Sequence, residues 1–282
     1  MVTEQKFETV DGYSIVDIDG AAKVVGPIRS AKKVLQRTTI DLVRHATYAC
    51  AVHGLDATGG AVALNHDRAA EDQSPIATFA DELTTWAEAN SFIGAMSLGL
   101  GANETGPTLS EMAGNAVEMT AASAAACVPD GAESVLIVSD GDEPALQAAL
   151  ADATIEADLA AALTSGADAI VVRGKTGALN HDVLKDTNVK MIIGLQPLTT
   201  TARGLAVAGR AGTIIVPDFV SAAGPVLAAL GWSADDITAN TTSLLGSLTG
   251  HGVDLFVAAS EHAETHMRSL TDSLPFGRPL AP

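Results

Sequence analysis

The sequence is short of cysteine, basic residues, aromatics and long apolar runs, and each shortage closes off a class of protein. Its 282 residues include two cysteines, Cys50 and Cys127, too far apart to suggest a disulfide framework. They read as reduced, buried thiols of a cytoplasmic protein. A chain of this length buries roughly 75% of its unfolded surface and needs neither disulfide nor metal to hold a core. Lysine and arginine number 16 against 34 acidic residues, a formal charge of -18. The one basic stretch runs from Arg29 to Arg37, which argues against nucleic acid or an anionic membrane as partner. Charge or glycine interrupts every apolar run well short of the ~20 residues a membrane span requires. The start, MVTEQKFETVDG, is polar and acidic, unlike a signal peptide. No G-x-S-x-G elbow is present, which sets a serine hydrolase aside. Most telling is lysine, absent altogether from Val34 to Gly174.

What is present has α/β order. The first twenty-five or so residues alternate weakly and turn at Asp11-Gly12 and Asp19-Gly20, predicting one or two short strands. Helical spacing of Val34, Leu35, Ile40, Leu42, Val43 and Ala46 predicts a helix from Ser30 to about Tyr48. The apolar runs ACAVHGL (49–55) and GGAVAL (59–64) read as two strands, 76–89 as an amphipathic helix, and 92–101 as a strand entering a glycine-rich loop. An Ala-rich helix follows over 112–127, and Pro129-Asp130-Gly131 marks a domain boundary. Beyond it, continuous Val/Ile runs at 133–140, 167–174, 189–195 and 213–220 alternate with helical stretches, the pattern of a parallel sheet covered on both faces. From Gly224 the chain is helical to about Leu270, and SLPFGRPLAP reads as a loose tail. The expected domains are 1–128, of substrate-binding and oligomerisation type, 129–250, a reduced Rossmann-like domain, and 251–282, a helix and tail free to return to the first domain.

Three stretches resemble the glutamate/leucine/phenylalanine/valine dehydrogenases, two-lobed enzymes that oxidatively deaminate amino acids with a nicotinamide cofactor. ATYACAVHGLDATGGA (46–61) is similar, without gaps, to the family's M-T-Y-K-N-A-x-x-G-L-x-x-G-G-G-K. VPDFVSAAG (216–224) is close to A-P-D-Y-V-x-N-A-G-G. TGALNHDVLKDTNVKMIIGLQPLTT (176–200) looks like the segment that precedes it in the family. The resemblance implies a two-domain α/β fold: an amino-terminal dehydrogenase-like domain and a Rossmann-like domain of parallel strands.

The departures fall on the family's working residues. The lysine that holds the substrate carboxylate corresponds to Ala49, the lysine acting as acid/base to Ala61, and the proton-relaying aspartate to Ser97. The glycine-rich cofactor loop corresponds to SDGDEP, where Gly141 survives, Ser139 and Pro144 replace the other positions, and Asp140, Asp142 and Glu143 add three carboxylates. A substrate carboxylate calls for a cation, and iminium hydrolysis calls for a group that titrates near neutrality; alanine supplies neither. Glycines let backbone N–H groups approach a pyrophosphate, whereas carboxylates repel it. Acids at a helix start also have the plain use of favouring the helix dipole. The stretch 143–164 reads as strand-poor, so the second strand of a dinucleotide fold, with its acidic ribose ligand, is expected to be missing.

These positions predict no catalytic residue, no metal and no bound cofactor. The resemblance implies a catalytically inactive relative that works as a binding, regulatory or assembly subunit, a homo-oligomer or a hetero-oligomer with an active paralogue. The early strands are then the candidate interface. The emptied pocket, with Arg44, Tyr48, His53, Gly59 and Gly60 as candidate lining, would suit a small uncharged ligand. The alternative is an active NAD(P)-dependent oxidoreductase of amino-acid metabolism with a site rearranged around Arg44, His53 and Ser97, in which Arg44 clamps the substrate carboxylate. An unrelated α/β binding fold is the remaining reading. His262 and His266 sit four apart in EHAETH but lack an evident third ligand, so an exposed acidic helix is preferred to a metal site. The loop 98–107 lacks the lysine and hydroxyl of a phosphate-binding P-loop and reads as a connection between lobes.

Overall fold

The computed structural model describes residues 3–67, 69, 72, 74–98, 116–248, 254–275 and 277–281. The chain forms two compact units, each assembled from separated segments. The first comprises Met1–Ala116, Pro225–Gly231 and Ala263–Arg278; the second comprises Val117–Gly224, Trp232–His262 and Pro279–Pro282. The break at Ala116/Val117 precedes the Pro129 turn expected as the boundary. The helix before that turn is held by the second unit, where Ser123 Oγ donates to the Ser221 carbonyl at 2.7 Å and accepts from Gly224 N at 3.2 Å.

The first unit carries a five-stranded mixed sheet with order β1-β2-β4-β3-β5. The strands are β1 (Thr3–Lys6), β2 (Gly12–Val16), β3 (Val24–Ala31), β4 (Thr58–Asn65) and β5 (Phe92–Leu98). β1 and β2 form an antiparallel hairpin, β2 runs antiparallel to β4, and β3 runs parallel to both β4 and β5. Helix α1 (Gln36–Val52) packs against one group of side chains from the sheet and α2 (Ser74–Asn90) against the other. The pleat of β4 sorts them: Ala61 and Ala63 join Tyr13, Ile15 and Val43 toward α1, while Val62 and Leu64 join Phe79, Leu83 and Trp86 toward α2.

Helix α1 is shifted along the sequence from its expectation. Residues 24–31 are strand, so the helix starts at Gln36, and the run ACAV at 49–52 continues it rather than beginning a strand. The helix stops on Gly54, whose φ is +68°. Leu55 N donates to Cys50 O at 3.0 Å and Gly54 N to Ala51 O at 3.0 Å, a Schellman cap that needs the left-handed conformation glycine adopts freely.

The second unit carries a five-stranded, all-parallel sheet with order β10-β9-β8-β6-β7. Its strands are β6 (Val135–Val138), β7 (Thr154–Glu156), β8 (Ala169–Val172), β9 (Met191–Gly194) and β10 (Ile214–Val216). The helices that follow in chain order are α3 (Ala116–Ala125), α4 (Pro144–Ala149), α5 (Leu159–Thr164), α6 (His181–Leu184), α7 (Ala202–Ala211), α8 (Asp218–Ser221), α9 (Gly224–Ala229), whose residues from Pro225 on belong to the first unit, and α10 (Ala234–Leu248). The final helix, α11 (Leu255–Leu270), starts among the residues of the second unit and ends among those of the first.

Three expectations are corrected here. The second parallel strand is present as β7, pairing with β6, and it ends on Glu156. Its three residues are too few to show a period. The run 213–220 is only half strand, because Pro217 closes β10 and Asp218 opens a helical turn. The tail is tied down rather than loose: Gly277 O accepts a hydrogen bond from Arg44, Arg278 pairs with Glu264, and Ala281 N donates to Thr200 O at 2.9 Å.

Cys50 and Cys127 are both buried and unbridged. Burial pushes the Cys50 thiol up to about 12, so it is inert as a nucleophile at neutral pH. No described helix is long and apolar enough to cross a membrane. The expected loop at 98–107 lies, from residue 99 on, outside the described residues.

Candidate functional site

Of the family-like positions of the first unit, Ala49 lies on α1 and Gly59, Gly60 and Ala61 on β4, which packs against that helix, while Ser97 lies on β5. Gly59 makes the approach of α1 to β4 possible. A Cβ there would lie 1.9 Å from the Val43 carbonyl oxygen and 2.7 Å from Thr47 N, so only hydrogen fits between helix and strand. Gly60 is enclosed in the same way, its missing Cβ falling 2.3 Å from Val24 Cγ1. Both glycines therefore meet the chain's own atoms.

Ala49 sits in the last turns of α1 and Ala61 on β4, each with 0% of its surface exposed. Ala61 belongs to an apolar cluster with Tyr13, Ile15, Val34, Val43 and Ala63. Ser97 is half-buried on β5, opposite Ile28 of β3. His53 is the C-cap of α1, its N donating to Cys50 O at 3.2 Å.

Arg44 and Tyr48 are engaged by groups that the sequence did not point to. Arg44 Nε and Nη2 fork onto Asp17 Oδ2 and Oδ1 at 2.8 and 2.9 Å, and Nη1 donates to Gly277 O at 2.9 Å. Thr47 Oγ1 donates to the same Asp17 carboxylate at 2.7 Å and accepts from Gly59 N at 3.0 Å. Asp17 is 1% exposed and Arg44 5%. The arginine expected as a clamp for a substrate carboxylate thus already holds an internal one, bidentately. Tyr48 donates from its hydroxyl to Glu264 Oε1 at 3.0 Å, and Arg278 donates to both oxygens of that carboxylate at 2.7 and 3.1 Å. Burial raises the Tyr48 phenol, as does the Glu264 charge, so it remains a hydrogen-bond donor at any physiological pH. Asp17, Glu264 and Arg278 escaped sequence reasoning because nothing local marks them; Arg44 and Asp17 are 27 residues apart, Tyr48 and Glu264 216.

In the second unit, the loop corresponding to the family's cofactor turn joins β6 to α4. Asp140, Gly141 and Asp142 are exposed, whereas Ser139 and Glu143 are buried. Ser139 Oγ donates to Glu143 Oε1 at 3.0 Å and accepts from Gly141 N at 3.3 Å. Arg173, the first residue after β8, donates from Nη2 to Glu143 Oε2 at 2.7 Å and from Nε to Oε1. Burial alone would raise the Glu143 carboxyl, but the bonds from Arg173 and Ser139 and the guanidinium charge outweigh it and hold it below the usual range. Pro144 begins α4 and contributes no N–H. A dinucleotide turn needs free amides and space for two phosphates; this loop presents one buried, ion-paired carboxylate and two exposed ones. Glu156, at the end of β7, accepts from Asp158 N at 2.8 Å.

The corresponding carboxy-terminal motif is structural in its contacts. Asn180 caps α6, its Oδ1 accepting from Asp182 N and Val183 N at 3.0 and 3.2 Å. Asp218 is 5% exposed and accepts from Thr199 N at 2.9 Å; burial pushes its carboxyl up to about 7 against the pull of backbone N–H groups. His266 Nε2 lies 3.4 Å from Asp56 and 3.2 Å from Leu55 O. Among the described residues, no group of three or more His, Cys, Asp or Glu side chains gathers as metal donors.

No protein-family model and no curated protein sequence matches the chain. Solved structures do. The L-tryptophan dehydrogenase of Nostoc punctiforme superposes with a TM-score of 0.69 at 16% identity, over 97% of this chain and 96% of that one. The hetero-hexameric glutamate dehydrogenase of Thermus thermophilus, in its Leu-bound form, gives 0.73 at 15% identity over 96% and 89%. The glutamate dehydrogenase of Peptoniphilus asaccharolyticus gives 0.69 at 14% identity over 97% and 92%. The chain therefore has the two-domain α/β fold of the amino-acid dehydrogenases along nearly its whole length.

Proposed function

We propose that this chain is a non-catalytic relative of the amino-acid dehydrogenases that serves as a binding, regulatory or assembly subunit. One observation carries the reading. The two positions corresponding to the family's lysines are Ala49 and Ala61, both fully buried, in a stretch with no lysine from Val34 to Gly174. A positioned acid/base contributes about 10²–10⁴-fold to rate, and groups that act together are lost together. Arg44 offers no rescue while its guanidinium holds Asp17. That engagement also weighs against a site rearranged around Arg44, His53 and Ser97.

The partner is a second copy of this chain or an active paralogue. Hetero-hexameric assembly is on record for this fold in the Thermus thermophilus enzyme, so a subunit that lacks the chemistry still has a place in such an assembly. Steady-state assays with leucine, valine, phenylalanine, glutamate and tryptophan, with NAD or NADP, are expected to stay at the no-protein background. Turnover of any of them, abolished by a substitution in this chain, overturns the proposal. Light scattering at micromolar concentration should give a mass that is a multiple of 28.6 kDa, or a mixed complex when a dehydrogenase from the same cell is co-expressed. A clean monomer under both conditions removes the subunit reading.

A further inference from the structure

In an open parallel sheet, ligands settle beyond the carboxyl ends of the strands where the strand order reverses. In the second unit that point lies between β6 and β8, because the chain goes from β6 to β7 on one side and then crosses to β8 on the other. Three side chains converge there. Arg173 N donates to Val138 O at 2.9 Å, fixing the start of the β8 loop beside the end of β6. Its guanidinium then forks onto both oxygens of Glu143, and Ser139 Oγ adds a third bond to the same carboxylate. The Glu143 side chain is 7% exposed and that of Arg173 33%, so the arginine is partly open to solvent while the carboxylate is enclosed.

A planar guanidinium fork with a hydroxyl beside it is a donor set for an oxyanion. Here the oxyanion is supplied by the chain itself. We propose that Arg173 and Ser139, beyond the carboxyl ends of β6 and β8, form an anion site whose resident ligand is Glu143, closed to nucleotide phosphates in the native chain and opened when that carboxylate is removed. The inference rests on the reading above only in that both dispense with a bound cofactor; it concerns binding, not turnover. A phosphate group arriving at the native loop meets Asp140 and Asp142 at the surface and must displace a carboxylate already held by three donors. The ligand class admitted on opening is a small tetrahedral or planar oxyanion, with inorganic phosphate as the probe.

The experiment uses the full chain as wild type, Glu143→Ala, Glu143→Gln and Glu143→Ala with Arg173→Met. Inorganic phosphate is titrated by calorimetry and by thermal shift, and NADH by its fluorescence. The wild type should show no saturable binding of either. Glu143→Ala should bind phosphate at least about tenfold more tightly than the wild type, and the double variant should lose that gain. Glu143→Gln should gain less, since its amide oxygen still accepts one bond from Arg173; it also carries the comparison if the alanine variant does not fold. Sub-millimolar binding of NADH or phosphate by the wild type overturns the proposal, as does a folded Glu143 variant with no gain. Amino-acid turnover by the wild type requires a bound nucleotide and would strike both readings, whereas a folded Glu143 variant with no gain in phosphate affinity strikes this one alone, so the two failures are told apart.

Discussion

Asp17 and Arg44 are the most consequential pair of side chains in the first unit. Both are nearly fully buried, and every oxygen of the carboxylate is met by Arg44 or Thr47. Removing one partner of such a pair leaves the other charge without compensation, at a cost of about 3–5 kcal/mol. Asp17→Asn and Arg44→Met should each lower stability by that order in urea unfolding, and the double variant should lose clearly less than the sum, because the pair is one interaction. Additive losses would show that the two side chains act separately. Asp218 makes a different demand. Its carboxyl titrates near 7 in the folded chain and near 4 when unfolded, so the folded state holds a proton that the unfolded state releases in between. Stability from this group is complete below about pH 4 and is lost as pH rises through about 7. Asp218→Asn, neutral throughout, should cancel that loss. Measured as the urea midpoint difference between about pH 5 and about pH 8, the decline should be smaller in the variant than in the wild type; an equal decline would place the titration elsewhere.

The contact between α1 and β4 is set by a hydrogen atom. With the Gly59 Cβ position 1.9 Å from the Val43 carbonyl, Gly59→Ala must move the helix or the strand. Overpacking costs about 1–3 kcal/mol and more where backbone is the obstacle, so a loss of about 3 kcal/mol is expected in thermal or urea unfolding. Gly141, where a Cβ meets nothing within 4 Å, is the internal control, and Gly141→Ala should be near neutral. These elements also mark where sequence reasoning works. The continuous apolar runs of β4, β8 and β9, bounded by turn residues, and the amphipathic spacing of α2 are enough to place them. ACAV at 49–52 is apolar on all sides and too short to carry a period, so only the Gly54 cap distinguishes helix from strand. β7 fails for the same reason at three residues. Ala49 and Ala61, where the resemblance implies lysines, can be named from the string of letters alone. The pairings of the candidate site cannot: Asp17 with Arg44 and Glu143 with Arg173 join residues 27 and 30 apart, distances at which no local pattern survives.

At the scale of the molecule, the two units are built from interleaved segments, and the tail serves both. Gly277 and Arg278 bond within the first unit and Ala281 within the second. Deleting 277–282 removes the acceptor of Arg44 Nη1, the partner of Glu264 and the bridge to Thr201. The loss of one buried bond and one half-buried ion pair should cost about 1–3 kcal/mol, read as a lowered melting temperature. An unchanged melting curve would show the tail to be dispensable.

Arg44 and Gly277 are 233 residues apart, and ribosomes add about 5–20 residues per second. The arginine therefore waits roughly 10–50 s for its last acceptor to be made. Through that interval the nascent amino-terminal half exists without the stretch of chain that supplies this acceptor.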